Sequence, residues 1–104
     1  MIIFVDIDGT ICNNTQGKYE EAVPIRENID RVNKLFDEGN TIVYWTARGS
    51  VTNLDWHDLT ATQLKRWEAK HHDLKLGKPH YDLYIDDKSI NALRYFKKEE
   101  KNND

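Results

Sequence analysis

A chain of 104 residues, 38% of them apolar, has material for one hydrophobic core and not for two. Its 18 acidic and 15 basic residues leave a net charge of −3, which argues against a nucleic-acid binder that works by neutralising phosphates. A charged fraction of 32% points to a compact soluble domain, with part of its surface open to cover by a second copy. The single cysteine, Cys12, excludes an internal disulfide and fits a reducing compartment. The apolar start Met1–Val5 is cut by Asp6, far short of a signal-peptide core, and no run approaches a membrane span. The expectation is a cytoplasmic protein with no membrane partner.

In chain order, residues 2–6 (IIFVD) form a short β-branched run of the kind buried in parallel sheets. Residues 9–23 carry Gly9 and Gly17 with no steady period and read as a loop or small hairpin. Pro24 suits the first turn of a helix whose Ile25, Ile29, Val32 and Phe36 share a face and which Gly39 stops. TIVYWT (41–46) is a second strand, closed by Ala47-Arg48-Gly49-Ser50. Thr60-Ala61-Thr62-Gln63 reads as a capping box opening a helix with Leu64, Trp67 and His71 on one face. Leu74 and Leu76 fit a short strand before Gly77-Lys78-Pro79. YDLYI (81–85) is expected as a further strand ending in Asp86-Asp87, and Ser89–Phe96 as a last helix with Ile90, Leu93 and Phe96 inward. The organisation is therefore one domain over 1–96 and a charged, frayed tail over 97–104. Strands alternating with helices imply an α/β domain with a mainly parallel sheet.

In such sheets ligands bind beyond the carboxyl ends of the strands. Here those ends are Asp6-Ile7-Asp8-Gly9-Thr10, Thr46-Ala47-Arg48 and Asp86-Asp87, with Lys78 before the last. Four carboxylates sharing one pocket cannot all ionise without a cation. Oxygen donors without His or Cys favour a hard ion, and Mg²⁺ fits best. Lysine and arginine beside them complement an anionic substrate. Together these groups point to phosphoryl transfer. Asp6 and Asp8, two apart on a strand, start on one face, and Gly9 lets the chain turn sharply after them. That spacing can give one nucleophile and one proton donor.

DIDGT after an apolar strand, with Thr46, Lys78 and Asp86-Asp87 following in order, resembles the haloacid dehalogenase-like superfamily of phosphohydrolases across residues 2–96. TARG, GKPHYDLYIDDK and the short chain resemble more narrowly the small capless phosphatases of capsule and surface-polysaccharide gene clusters. The resemblance implies a three-layer α/β/α Rossmann-like domain with minimal or no cap. It makes Asp6 the nucleophile that forms an aspartyl-phosphate and Asp8 the group that protonates the leaving oxygen and then activates water. Thr46 would bind a phosphoryl oxygen, and Lys78 would neutralise the phosphoryl group and hold Asp6. Mg²⁺ would be held by Asp6, the Asp8 backbone carbonyl, Asp86 and Asp87, with Asp87 favoured as the direct ligand of the pair. Gly9, Thr10, Ala47 and Arg48 are the expected substrate contacts, with a structural ion pair equally open for Arg48.

About fifteen residues between Thr10 and the first helix are too few for a helical cap, so the site is open or is covered by a second copy. The expected substrate is a phosphorylated small molecule, a sugar phosphate first. A polynucleotide-end phosphatase is the second enzyme reading, and a non-catalytic phosphate- or Mg²⁺-binding module is the alternative from another class. Trp45 reads as core. Trp56 and Trp67 read as helix packing and an oligomer contact ahead of a leaving-group platform, and Cys12 as a small buried residue rather than a nucleophile.

Overall fold

The computed structural model describes residues 1–101, with side chains through Lys97. The elements run β1 (Ile2–Val5), a 3-10 turn (Tyr19–Glu21), α1 (Arg26–Asp37), β2 (Thr41–Trp45), α2 (His57–Arg66), β3 (Asp73–Lys75) and α3 (Ala92–Lys101). The three strands form one parallel sheet in the order β1-β2-β3. Ile2 to Val5 pair with Thr41 to Tyr44, and Val43 to Trp45 pair with Asp73 to Lys75. This register brings Asp6, Thr46 and the chain beyond Lys75 out at one edge of the sheet.

Local chemistry explains the first half of the chain. Helix α1 buries Ile29 and Val32 and ends at Glu38. Gly39 then takes φ +98°, where a Cβ would be strained. Its N–H donates to the Phe36 carbonyl and the Asn40 N–H to the Leu35 carbonyl, the paired bonds of a Schellman stop. Thr41 follows at once as the first residue of β2. Ile42 and Tyr44 of β2 join Val5, Ile29 and Val32 of the first βα unit and Leu64 and Trp67 around α2 in one core cluster. Phe96 of α3 packs against that cluster, and its carbonyl accepts from Arg31 of α1.

Several expectations are corrected. Residues 81–85 form no strand: Leu83 is 75% and Ile85 87% exposed. Alternation describes a segment fitted to a half-buried pleated surface, and here no neighbouring strand supplies that surface. Among the described residues the α1 and α2 core side chains gather with Ile42 and Tyr44 on one face of the sheet; on the other, Val43 is buried while Ile2 and Phe4 stay exposed. Helix α2 starts at His57 rather than at a Thr60 capping box. Helix α3 starts at Ala92 and continues to Lys101, so part of the expected tail is helical, and residues 102–104 lie outside the described residues. Ile90 and Leu93, expected inward, are exposed. No helix among the described residues is long and apolar enough to cross a membrane.

Tyr44 is fully buried, and its hydroxyl has no hydrogen-bond partner among the described residues. An unpaired buried hydroxyl costs about 1–3 kcal/mol. Tyr44→Phe is therefore expected to raise the urea midpoint; a lower midpoint with an unchanged m-value would show the hydroxyl to be satisfied.

Candidate active site

The turn after β1 is built by backbone bonds. The Thr10 and Ile11 N–H groups donate to the Ile7 carbonyl, and the Gly9 N–H donates to the Cys12 carbonyl. Gly9 sits at φ +81°, which lets the chain double back three residues after Asp6, the first residue beyond β1. Two further backbone bonds bring Lys78 to the same edge: Thr46 N–H donates to the Lys75 carbonyl, and Lys78 N–H to the Thr46 carbonyl. The Ser50 hydroxyl donates to the Lys78 carbonyl at 2.6 Å and ties the β2 loop to the same segment.

These ties bring Asp6, Asp8, Thr46, Ala47, Arg48 and Lys78 to one open cleft of about 590 Å³. Lys78 Nζ lies 3.5 Å from Asp6 Oδ1 and 5.4 Å from the centre of the Tyr81 ring. Burial pushes the Asp6 carboxyl above its ordinary value; the charge of Lys78 and the Ile7 backbone N–H oppose that, and the charge of Asp8 adds to it. Thr46 is buried, and its hydroxyl accepts from the Arg48 N–H at 3.2 Å.

Arg48 is wholly buried, and its guanidinium has a partner for each of its five N–H donors. Nε donates to Asp8 Oδ2 and Nη2 to Asp8 Oδ1, both at 2.9 Å. Nη1 donates to Gln63 Oε1 at 2.5 Å and to Thr60 Oγ1 at 3.1 Å, and Nη2 also faces Cys12 Sγ at 3.9 Å. The Tyr19 ring stacks over the guanidinium with its centre 4.8 Å away. No donor remains for a phosphate, so Arg48 makes the ion pair and not the substrate contact. Gly9 and Thr10 are corrected too. Gly9 lines a separate depression beside α3, and Thr10 is buried with its carbonyl taken by Asn28, because the tight turn carries both away from the cleft.

Asp86 and Asp87 are exposed and do not line the cleft; an Asp86 oxygen accepts from the Lys88 N–H instead. Among the described residues no group of three or more His, Cys, Asp or Glu side chains converges to hold a metal. Within the cleft Asp8 is engaged by Arg48 and Asp6 faces Lys78. As placed, these residues do not fit the expected Mg²⁺ shell. Cys12 is buried, and its thiol is pushed up to about 12 by burial first and by the charge of Asp8 next, so it stays protonated.

Tyr19, Thr60 and Gln63 are the residues that motif reading missed. Gln63 and Thr60 carry the signature of a helix cap, and nothing local marks Tyr19. Trp56 meets Tyr19 edge to face at 5.0 Å and lines the cleft, whereas Trp67 is core. Trp45, expected as core, is only half-buried, with Phe4 edge-on at 5.8 Å and Lys78 over its ring.

No family model matches the chain, and no curated protein matches it. Among solved structures it is similar to a structural-genomics target from Vibrio cholerae, at 24% sequence identity and a TM-score of 0.82 over 91% of this chain and 86% of that one. That likeness shows the α/β fold and extends it over nearly the whole length of both chains.

A Cβ at Gly49, where φ is +83°, would meet the Leu54 carbonyl oxygen at 2.2 Å. Gly49→Ala is expected to cost about 1–3 kcal/mol from backbone strain alone, read as a lower melting temperature; an unchanged one would place the loop elsewhere.

The Asp6 shift gives a second stability test. Below about its ordinary value of 3.8 the carboxyl is protonated both folded and unfolded. As pH rises, the unfolded chain ionises first, so the native state loses stability until Asp6 also ionises. In chelator-containing buffer, Asp6→Asn should melt higher than the parent at pH 7, with the gap closing as pH falls below about 4. A gap that widens in acid would reverse the sign.

Proposed function

We propose that this protein is a phosphomonoester hydrolase of the haloacid dehalogenase-like type, working through an aspartyl-phosphate on Asp6. The observation that carries the reading is the Asp6–Lys78 pair at 3.5 Å, open to a cleft beyond the carboxyl end of a parallel sheet, with Asp8 beside it. An Asp6 oxygen attacks phosphorus as the bond to the leaving oxygen breaks, and that oxygen takes a proton from Asp8. Water then attacks phosphorus, the bond to Asp6 breaks, and Asp8 takes the proton. Lys78 bears part of the phosphoryl charge and keeps Asp6 in place. The buried Thr46 hydroxyl, at the head of the same loop, is within the cleft lining and suits a phosphoryl oxygen.

Mg²⁺ belongs to the same reading, and Asp86 and Asp87 would have to join Asp6 to hold it. Bound there, Mg²⁺ would supply positive charge against the phosphoryl oxygens, while the attacking group and the proton carrier remain Asp6 and Asp8. A sugar phosphate is the favoured substrate: the cleft is open, and Tyr19, Trp56 and Tyr81 line it with aromatic surface suited to the apolar face of a sugar ring. Among the described residues the cleft stands open, and on this reading a second copy covers it.

Phosphate release from p-nitrophenyl phosphate, measured with Mg²⁺ and with a chelator, tests the reading. The expected outcome is metal-dependent turnover that Asp6→Asn lowers by at least about 10³-fold. Turnover of no phosphomonoester would leave a non-catalytic phosphate-binding module as the surviving alternative. A panel of sugar phosphates against 3′-phosphorylated oligonucleotides separates the two enzyme readings.

A further inference from the structure

Both Asp8 oxygens meet the Arg48 fork, yet they are not equivalent. Oδ1 accepts from Arg48 Nη2 and also lies 3.5 Å from Cys12 Sγ, whose one S–H has the Ile7 carbonyl at 3.6 Å as its other acceptor. Oδ2 accepts from Nε alone. Each carboxylate oxygen offers two lone-pair sites, so Oδ2 keeps one free, while the second site of Oδ1 is turned toward the buried Cys12 thiol. The carboxylate remains 18% exposed at the cleft while the guanidinium behind it is sealed.

Resting on the phosphatase reading, we propose that Arg48 is the positioning residue of Asp8 and makes Oδ2 the oxygen that moves protons. Gln63 and Thr60 of α2 grip the far side of the guanidinium, and Tyr19 covers its face. The Gln63 amide also donates to the Tyr19 carbonyl at 2.7 Å, so the cover and the grip are one unit. The fork lets Asp8 neither rotate nor swing without breaking two charge-assisted bonds. In the first step the P–O bond to the leaving group breaks, and its electron pair stays on the leaving oxygen, which takes the proton from Oδ2. In the second, a water oxygen bonds phosphorus, the Asp6 carboxylate departs with its electron pair, and one water proton returns to Oδ2. Helix α2 thus serves the reaction from behind, through Arg48.

Leaving-group dependence tests this, because kcat/KM reports the step in which Asp8 protonates the leaving oxygen. An alkyl phosphate such as glycerol phosphate needs that proton, whereas p-nitrophenolate departs largely without it. Arg48→Gln and Arg48→Lys should both lose at least about tenfold more kcat/KM with the alkyl ester than with the aryl ester, a fraction of the usual 10²–10⁴ for general acid catalysis. Lysine should not rescue, because it keeps the charge but not the two-bonded fork. Inhibition by inorganic phosphate should stay within about twofold of the parent, since Arg48 has no donor left for it.

Equal losses with both esters, or rescue by lysine, would overturn the proposal. A large rise in the phosphate inhibition constant would make Arg48 a substrate ligand and also overturn it. Should the Arg48 variants fail to fold by circular dichroism, Thr60→Val and Gln63→Met loosen the grip while keeping Arg48. They should show the same ester preference, on the order of threefold, as a partial loss of general acid catalysis, and equal losses there count against the proposal. A parent protein inactive on both esters fails the phosphatase reading itself, and the role of Arg48 falls with it; an active parent with ester-blind variants fails only the present inference.

Discussion

The buried guanidinium of Arg48 is the constraint around which this small domain is arranged. Sealing a charge inside a protein costs several kcal/mol even after relaxation, and the cost is offset only by good geometry and filled donors. The partners come from three places in the chain: Asp8 and Cys12 after β1, Thr60 and Gln63 on α2, and Tyr19 in the 3-10 turn. None of these segments makes large sheet contacts with the others. The ion pair therefore does for the loops what the strand register does for β1, β2 and β3. Removing either partner leaves an uncompensated buried charge, a loss of about 3–5 kcal/mol, which is a large share of the stability of any domain this size.

The two carboxylates of the DIDGT stretch end in opposite circumstances for this reason. Asp8 is locked by a planar fork with both oxygens engaged, and Asp6 faces one flexible lysine at a longer distance and is 38% exposed. Locking suits a group that must pass a proton at a fixed place. A single loose contact suits a group that must give up its partner to form a bond. The division of labour that the phosphatase reading assigns to the pair thus matches a difference in how each is held.

Much of this was legible in the sequence where local chemistry decides. β1 and β2 follow from β-branched runs, α1 from its Ile29 and Val32 stripe, and its end from Gly39. Asp6, Asp8, Thr46 and Lys78 meet because each stands at the end of a strand or just beyond one. The misread segments are those whose side chains are claimed from far away. Thr60 and Gln63 have the spacing of a capping box, but their polar atoms go to Arg48, 12 and 15 residues back. Whether Arg48 faced substrate or an ion pair could not be read locally, since its carboxylate stands 40 residues earlier. The YDLYI stretch has strand alternation, yet alternation does not supply a neighbour, and with it Asp86 and Asp87 stay outside the cleft.

The charge balance of the cleft connects these points to chemistry. Asp6 and Asp8 are matched by Lys78 and Arg48, so the site as built is near neutral, and Arg48 has no capacity left. A phosphate dianion entering such a site adds negative charge beside Asp6, whose ionised form burial already disfavours. On the phosphatase reading Lys78 then divides its one charge between its own carboxylate and the incoming phosphate. On that reading the flexible point charge of Lys78 would shift from carboxylate to phosphoryl oxygen as the bond forms, which a sealed planar fork cannot do.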